Sequence, residues 1–194
     1  MARLTLPIAT ERLVLRAFSV DDTDAYYAYQ QLTEVARYLY RQPHTRDRCR
    51  EVLAQAATLA FEEDGQVLAL AIEGADDGAL IGEAVLKLAN RAADQGEVGY
   101  TLAPWASGRG YATEAAHAML KLGFETYGFH RIFARIDEEN VASVRVAERL
   151  GMRQEARLVD SDLRDGQRAT ELVFAMLVSE WRDAADQRGA GPAR

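Results

Sequence analysis

Glu97-Val98-Gly99-Tyr100-Thr101-Leu102-Ala103-Pro104 leads, after Trp105 and Ala106, into Ser107-Gly108-Arg109-Gly110-Tyr111-Ala112-Thr113-Glu114-Ala115. The first part reads as a strand that Pro104 stops, and Thr113 to Tyr127 has helical composition throughout. Strand, glycine turn and long helix is the predicted order. At such a handover the unpaired N–H groups and the positive dipole end of the helix converge, and glycine lets an anion approach the backbone. On its own a Gly-x-Gly is a weak signal that a plain turn also explains. It is not a dinucleotide fingerprint, because Thr113 stands where the third glycine belongs. Nor is it a P-loop: no Gly-Lys-Ser/Thr is present, and Lys87 and Lys121 are the only lysines. A side-chain contact to phosphate therefore has to come from arginine.

Upstream, Leu13-Val14-Leu15 reads as a first strand, and Ser19 with Asp22 marks a helix start before Ala25 to Tyr29. Thr45 can cap a second helix, in which Cys49, Val52, Leu53, Ala56 and Ala60 share one face until Gly65. Gln66 to Glu73 and Ala79 to Leu88 flank the turn-rich Gly74 to Gly78 and should form a hairpin. Downstream, Arg131 to Ile136 is strand-like, and Asn140 caps a helix through Leu150 with Gly151 as its stop. Two further strands, Gln154 to Asp160 and Ala169 to Val178, flank an Asp165-Gly166 turn. With no internal repeat, this alternation predicts one α/β domain over residues 8–182 with a mixed sheet. Residues 183–194 lack an apolar pattern and read as a loose tail.

A chain of 194 residues that is 48% hydrophobic can bury a substantial core. Its formal net charge of -7 argues against a nucleic-acid surface. The run Arg37, Arg41, Arg46, Arg48, Arg50 contains Asp47 and is followed by Glu51, so it reads first as a solvated face and second as recognition of an acidic group. Asp160, Asp162 and Asp165 leave a similar choice, attracting a cationic amine or simply being solvated. Cys49 is the only cysteine and reads as core, which excludes an internal disulfide and a multi-thiolate metal site. His44, His117 and His130 lack ligand-spaced partners, so no metal is expected. No apolar run spans a bilayer and no leader-like segment is seen, so cytoplasm is the default location and no membrane partner is expected. Tyr26, Tyr27, Tyr29, Tyr38 and Tyr40 read as a half-buried aromatic face.

The ordered set of motifs resembles the GNAT acetyltransferases, and within them the RimJ/RimL-like branch. It comprises the stretch quoted first, Thr10-Glu11-Arg12-Leu13-Val14-Leu15-Arg16, Leu80-Ile81-Gly82, Asn140-Val141-Ala142-Ser143, Glu148-Arg149-Leu150-Gly151-Met152 and Glu180-Trp181. The resemblance implies a mixed, mostly antiparallel sheet of six to seven strands flanked by helices and splayed between the fourth and fifth strands. It implies acetyl-coenzyme A as co-substrate, no metal, an acetyl group moved to a primary amine in a ternary complex, and a branch compatible with a homodimer. The amine would belong to a protein N-terminus or a small molecule. Main-chain N–H groups of Gly108, Arg109, Gly110, Tyr111, Ala112 and Thr113 would hold the pyrophosphate, and Leu102, Ala103 and Asn140 the pantetheine arm.

Ser107 departs from the family's Gln/Arg at the first loop position, which leaves Arg109 either as a substitute contact or as a solvent-facing side chain. Glu97 is the favoured general base and Glu83 the competing one. Many family members carry an acidic tyrosine seven residues beyond the Asn; here Ala147 stands there, which leaves Ser143 to hydrogen-bond the cofactor sulfur. The lost tyrosine and Ser107 also fit an alternative, a non-catalytic acyl-coenzyme-A binding module.

Overall fold

The computed structural model describes residues 4–58, 61–164 and 166–189. The chain runs β1 (Ile8–Ala9), β2 (Leu13–Arg16), α1 (Thr23–Gln30), α2 (Thr33–Ala36), α3 (Arg46–Ala56), β3 (Val67–Gly74), β4 (Leu80–Asn90) and β5 (Gln95–Leu102). It continues with α4 (Tyr111–Lys121), β6 (Arg131–Asp137), α5 (Val141–Arg149), β7 (Arg153–Arg164), β8 (Gln167–Leu177) and α6 (Val178–Gly189). The strands form one eight-stranded sheet in the order β1-β2-β3-β4-β5-β6-β8-β7. Only the β5/β6 pair is parallel. The count exceeds the expected six to seven because a two-residue β1 pairs Ile8 with Leu15 and Ala9 with Val14. The fourth and fifth strands of the sequence pattern are therefore β5 and β6.

The apolar pattern explains the layers. β3 is buried continuously from Leu68 to Ile72, as befits a strand covered on both faces. Leu68, Leu70 and Ile72 join Leu86, Val98, Ile132, Met119 and Trp181 in one core beneath α4 and α6. Ala69 and Ala71 point the other way, onto Tyr26 and Tyr29 of α1 and Cys49 and Leu53 of α3. Truncating a buried side chain such as Leu86 to alanine removes about 2–5 kcal/mol of stability.

Local chemistry sets the element ends. Ser19 Oγ accepts from the Asp21 N–H at 3.2 Å while the Asp22 carboxylate accepts from the Ser19 N–H at 2.7 Å. Thr45 Oγ1 caps α3 through the Arg48 N–H at 3.2 Å. That helix ends at Ala56, well short of Gly65. Thr58 Oγ1 turns back onto the Gln55 carbonyl at 2.8 Å and competes with the helix ladder. Ala60, expected on the buried face, and Asp165 of the β7–β8 turn lie outside the described residues. α4 starts two residues earlier than expected and passes into a π turn over Leu122–Thr126.

At the C-terminus, α6 runs from Val178 to Gly189, and Trp181 anchors it by burial and a 3.2 Å bond to Glu125 Oε1. No helix among the described residues is long and apolar enough to cross a membrane. Gly82 has a positional requirement of its own. A Cβ there would lie 2.3 Å from the Thr101 carbonyl oxygen, so its absence lets β4 approach the end of β5.

Candidate active site

β5 and β6 are hydrogen-bonded only through Gln95–Arg131, Gly96–Ile132 and Glu97–Phe133. Beyond that point β5 stays with β4 as far as Leu102, while β6 follows β8 as far as Asp137. The sheet opens between them. The Ala103 N–H donates to the Ile81 carbonyl at 2.8 Å, so the alternation of an antiparallel ladder turns the backbone groups of Tyr100 and Leu102 away from β4 and toward the opening. A cleft of about 510 Å³ occupies this region, walled by the end of β5, the glycine loop, the first turn of α4 and one face of α5.

The loop is held from a distance. Gly108 and Gly110 have φ of +76° and +83°, conformations that L side chains rarely adopt. Gly110 is the N-cap of α4, and no side chain among the described residues caps that end, which leaves the first-turn N–H groups to an outside acceptor. The motif around Arg12 clamps the loop. Glu114 Oε1 accepts from the Thr10 hydroxyl and the Arg12 N–H, both at 2.7 Å, and Oε2 accepts from Arg12 Nε at 2.8 Å. Arg12 Nη1 also donates to the Arg109 carbonyl at 2.9 Å, and the guanidinium lies over the Tyr111 ring. Burial pushes the Glu114 carboxyl up, but the hydrogen bonds from Thr10 and Arg12 outweigh it and hold Glu114 below the usual carboxylate range.

On the opposite wall Asn140 Oδ1 caps α5 through the Ser143 N–H at 3.2 Å. Tyr100, on β5, donates its hydroxyl to Ser143 Oγ at 3.1 Å. That bond leaves the serine proton to be given elsewhere, and both residues line the cleft. Burial raises the Tyr100 phenol, which stays protonated. Arg145 and Arg149, four apart on α5, add positive charge to the same wall.

Two carboxylates flank β5 on the face that carries α1 and α3. Glu97 sits at the closed end, 3.5 Å from Lys87 Nζ and with 24% of its side chain exposed, and it does not line the cleft. Glu83 stands opposite Thr101 at the open end. Its carboxylate accepts from the Tyr26 hydroxyl at 3.0 Å and from Gln30 Nε2 at 2.8 Å. Burial drives the Glu83 carboxyl upward, and bonds from Tyr26 and Gln30, with the charge of Arg41, only partly offset this. Glu83 is partly buried and, like Glu97, does not line the cleft; Thr101 beside it does.

A family model described as "Acetyltransferase (GNAT) domain" matches residues 12–153. The chain belongs to the GNAT acetyltransferase family. It is 29% identical over 174 residues to the uncharacterized N-acetyltransferase YnaD of Bacillus subtilis, covering 90% of this chain and 98% of that one. A GNAT-family acetyltransferase structure from Bacillus anthracis superposes with a TM-score of 0.81 at 28% identity, covering 90% of this chain and all of that one. A spermidine N-acetyltransferase from Vibrio cholerae, in complex with CoA and spermine, shares the fold with a TM-score of 0.78 at 21% identity, covering 89% and 99% of the two chains.

The acetyltransferase is acetyl-CoA-dependent, and its cleft fits that co-substrate on two observations. Thr113 Oγ1 is buried beside the uncapped helix start without a hydrogen-bond partner among the described residues, and the exposed backbone edge of β5 faces the same space. Leu102, Gly108, Gly110, Tyr111, Ala112, Thr113, Asn140 and Ser143 all line the cleft, as does Ser107. Ala103 does not: it is fully buried, its N–H is spent on Ile81 and its carbonyl accepts from the Ala106 N–H. Arg109 is exposed and outside the lining, contributing its carbonyl to the Arg12 clamp. Sequence reasoning missed the acetyltransferase's Tyr100, Arg145, Arg149 and Arg12–Glu114 clamp. The four-residue spacing of the two α5 arginines beyond Asn140 was the available signal for that pair.

Proposed function

We propose that this acetyltransferase, of the RimJ/RimL-like branch, transfers the acetyl group directly to a primary amine in a ternary complex. The observation that carries this reading is the opening of β5 and β6, which puts Thr101 on the cofactor cleft with Glu83 as its register partner on the acceptor face. When bound, acetyl-CoA supplies an activated acyl thioester and a thiolate leaving group. The glycine loop and the first turn of α4 hold the pyrophosphate through N–H groups, with Arg145 and Arg149 as side-chain cations. The Leu102 N–H, on the free edge of β5, would be the donor for the acyl oxygen of the bound co-substrate.

Glu83 takes the amine proton on its carboxylate, directly or through one water. Its upward shift brings it nearer the operating pH than an ordinary carboxylate. Glu97, the base favoured from the sequence, lies at the closed end against Lys87. Ser143 Oγ, which accepts the Tyr100 hydroxyl, gives its own proton to the sulfur as a hydrogen bond. A thiol is a good enough leaving group for this to replace the tyrosine acid absent at Ala147. A buried lone cysteine fits a cytoplasmic setting.

The test is thiol release from acetyl-CoA with amines ranging from peptides to amino acids and polyamines, alongside measured acetyl-CoA binding. Amine-dependent release is expected. Tight binding with no release by any amine would mean a binding module.

A further inference from the structure

A second cavity of about 250 Å³ lies between the segment that follows α2 and the β7–β8 hairpin, and Arg37, Tyr40, Arg41, Gln42 and Arg164 line it. One ring separates it from the cofactor cleft. Tyr38 lines that cleft, and the guanidinium carbons of Arg37 and Arg164 lie 5.1 and 5.5 Å from its ring centroid. A second link runs to the base: Arg41 Nη2 donates to Gln30 Oε1, and the same amide donates through Nε2 to Glu83.

The arginine run read from sequence divides in two here. Arg46, Arg48 and Arg50 are paired with Asp24, Glu51 and Asp47 on the α3 surface. Arg37 and Arg41 face the cavity instead. Arg164 is engaged by Asp137 and Glu139, and Arg37 lies 3.4 Å from Glu139. Arg41 differs from both. Its direct hydrogen-bond partners among the described residues are uncharged, the Gln42 carbonyl at 3.0 Å, Gln30 Oε1 and His44 Nδ1 at 3.3 Å, and the charge of Glu83 reaches it only from beyond Gln30. Burial lowers the Arg41 pKa, and burial together with Arg41 lowers that of His44, which keeps the imidazole neutral. A desolvated guanidinium whose direct partners are neutral costs stability that a docked anion returns. Arginine also offers the planar donor fork that suits a carboxylate or phosphate.

We infer that this cavity receives an anionic group, carboxylate or phosphate, carried by the amine acceptor, with Arg41 as its main contact and Arg37 beside it. The inference rests on the reading that Glu83 takes the amine proton. The acceptor then spans two sites, its amine at Glu83 and Thr101 and its anion across Tyr38. Such a substrate differs in charge from a polyamine.

The test uses matched amines, 4-aminobutyrate with its amide and O-phosphoethanolamine with ethanolamine, with spermidine as the cationic probe. Each is titrated calorimetrically into the CoA-bound enzyme and assayed for thiol release. One or both anionic members should bind and turn over about tenfold better than their neutral partners, and the member that does so identifies the anion. Arg41→Met should raise the KM of that amine about tenfold while leaving the KM of its neutral partner nearly unchanged, any change in kcat through Glu83 being common to both amines, and the exposed Arg37→Gln should raise the first KM by about threefold. If Arg41→Met fails to fold, Arg37→Gln and the wild-type preference still decide. Neutral amines or spermidine performing as well as the anionic ones, or a preference that survives both substitutions, would overturn the inference. If no amine releases thiol yet the anionic members still bind preferentially, acetyl transfer is refuted and the cavity stands.

Discussion

The two ends of β5 share one strand and differ in their outer edge. At Gln95–Glu97 that edge is hydrogen-bonded to β6, and the carboxylate there has a lysine neighbour. At Val98–Leu102 the edge is free of β6, and the adjacent carboxylate, Glu83, is held by neutral donors from α1. The lesson is that a glutamate on a strand declares nothing by its identity. Beside the closed edge the glutamate neutralises a lysine, and beside the open edge it is held by neutral donors.

The largest effect that sharpens this contrast is expected from Glu83→Gln, which should lower kcat/KM at neutral pH by about 10²–10⁴-fold. The same variant carries a stability signature. A carboxyl whose folded pKa is raised binds its proton more tightly in the folded state, so wild type gains stability as pH falls through that raised value. Glu83→Gln should therefore melt higher than wild type at neutral pH. The difference should close as the solution passes below the ordinary glutamate range, and equal melting temperatures at pH 7 would count against a strained ionised Glu83.

Next in size is Gly110→Val. At φ of +83°, with a Cβ 3.4 Å from Arg12 Nη2, a branched residue strains the cradle and intrudes on its anion, so acetyl-CoA should bind at least about tenfold more weakly. Unchanged affinity would remove the loop from the phosphate site. Tyr100→Phe, which strips Ser143 of its donor, should lower kcat by about two- to tenfold. Adding it to Ser143→Ala should cost nothing more if the pair acts as one unit. The smallest effect belongs to the closed end. Glu97→Gln should change kcat/KM by less than about twofold and stability by no more than about 1 kcal/mol, the scale of a partly exposed ion pair.

Much of this contrast was legible in the sequence wherever the information was local. Ser19, Thr45 and Asn140 announced helix starts, the runs at Gln66–Glu73 and Ala79–Leu88 announced the central strands, and Gly108 and Gly110 announced the turn into α4. The candidate site was less legible because it is assembled over long separations. Tyr100 meets Ser143 across 43 positions, Glu83 meets Gln30 and Tyr26 across 53 and 57, and Arg12 meets Glu114 across 102. Those contacts depend on strand register, and no local pattern encodes it. Register also removed Ala103 from the cleft, since one step along β5 turns an N–H from the opening to Ile81.

The most direct test is the pH dependence of kcat/KM at saturating acetyl-CoA for wild type, Glu83→Gln and Glu97→Gln, with one acceptor amine throughout. Wild type and Glu97→Gln should share an acid limb set by a carboxyl above the ordinary range. Glu83→Gln should lose that limb and recover only as the amine itself deprotonates at high pH. A limb that persists in Glu83→Gln and disappears in Glu97→Gln would contradict the account and return the base to the closed end of β5.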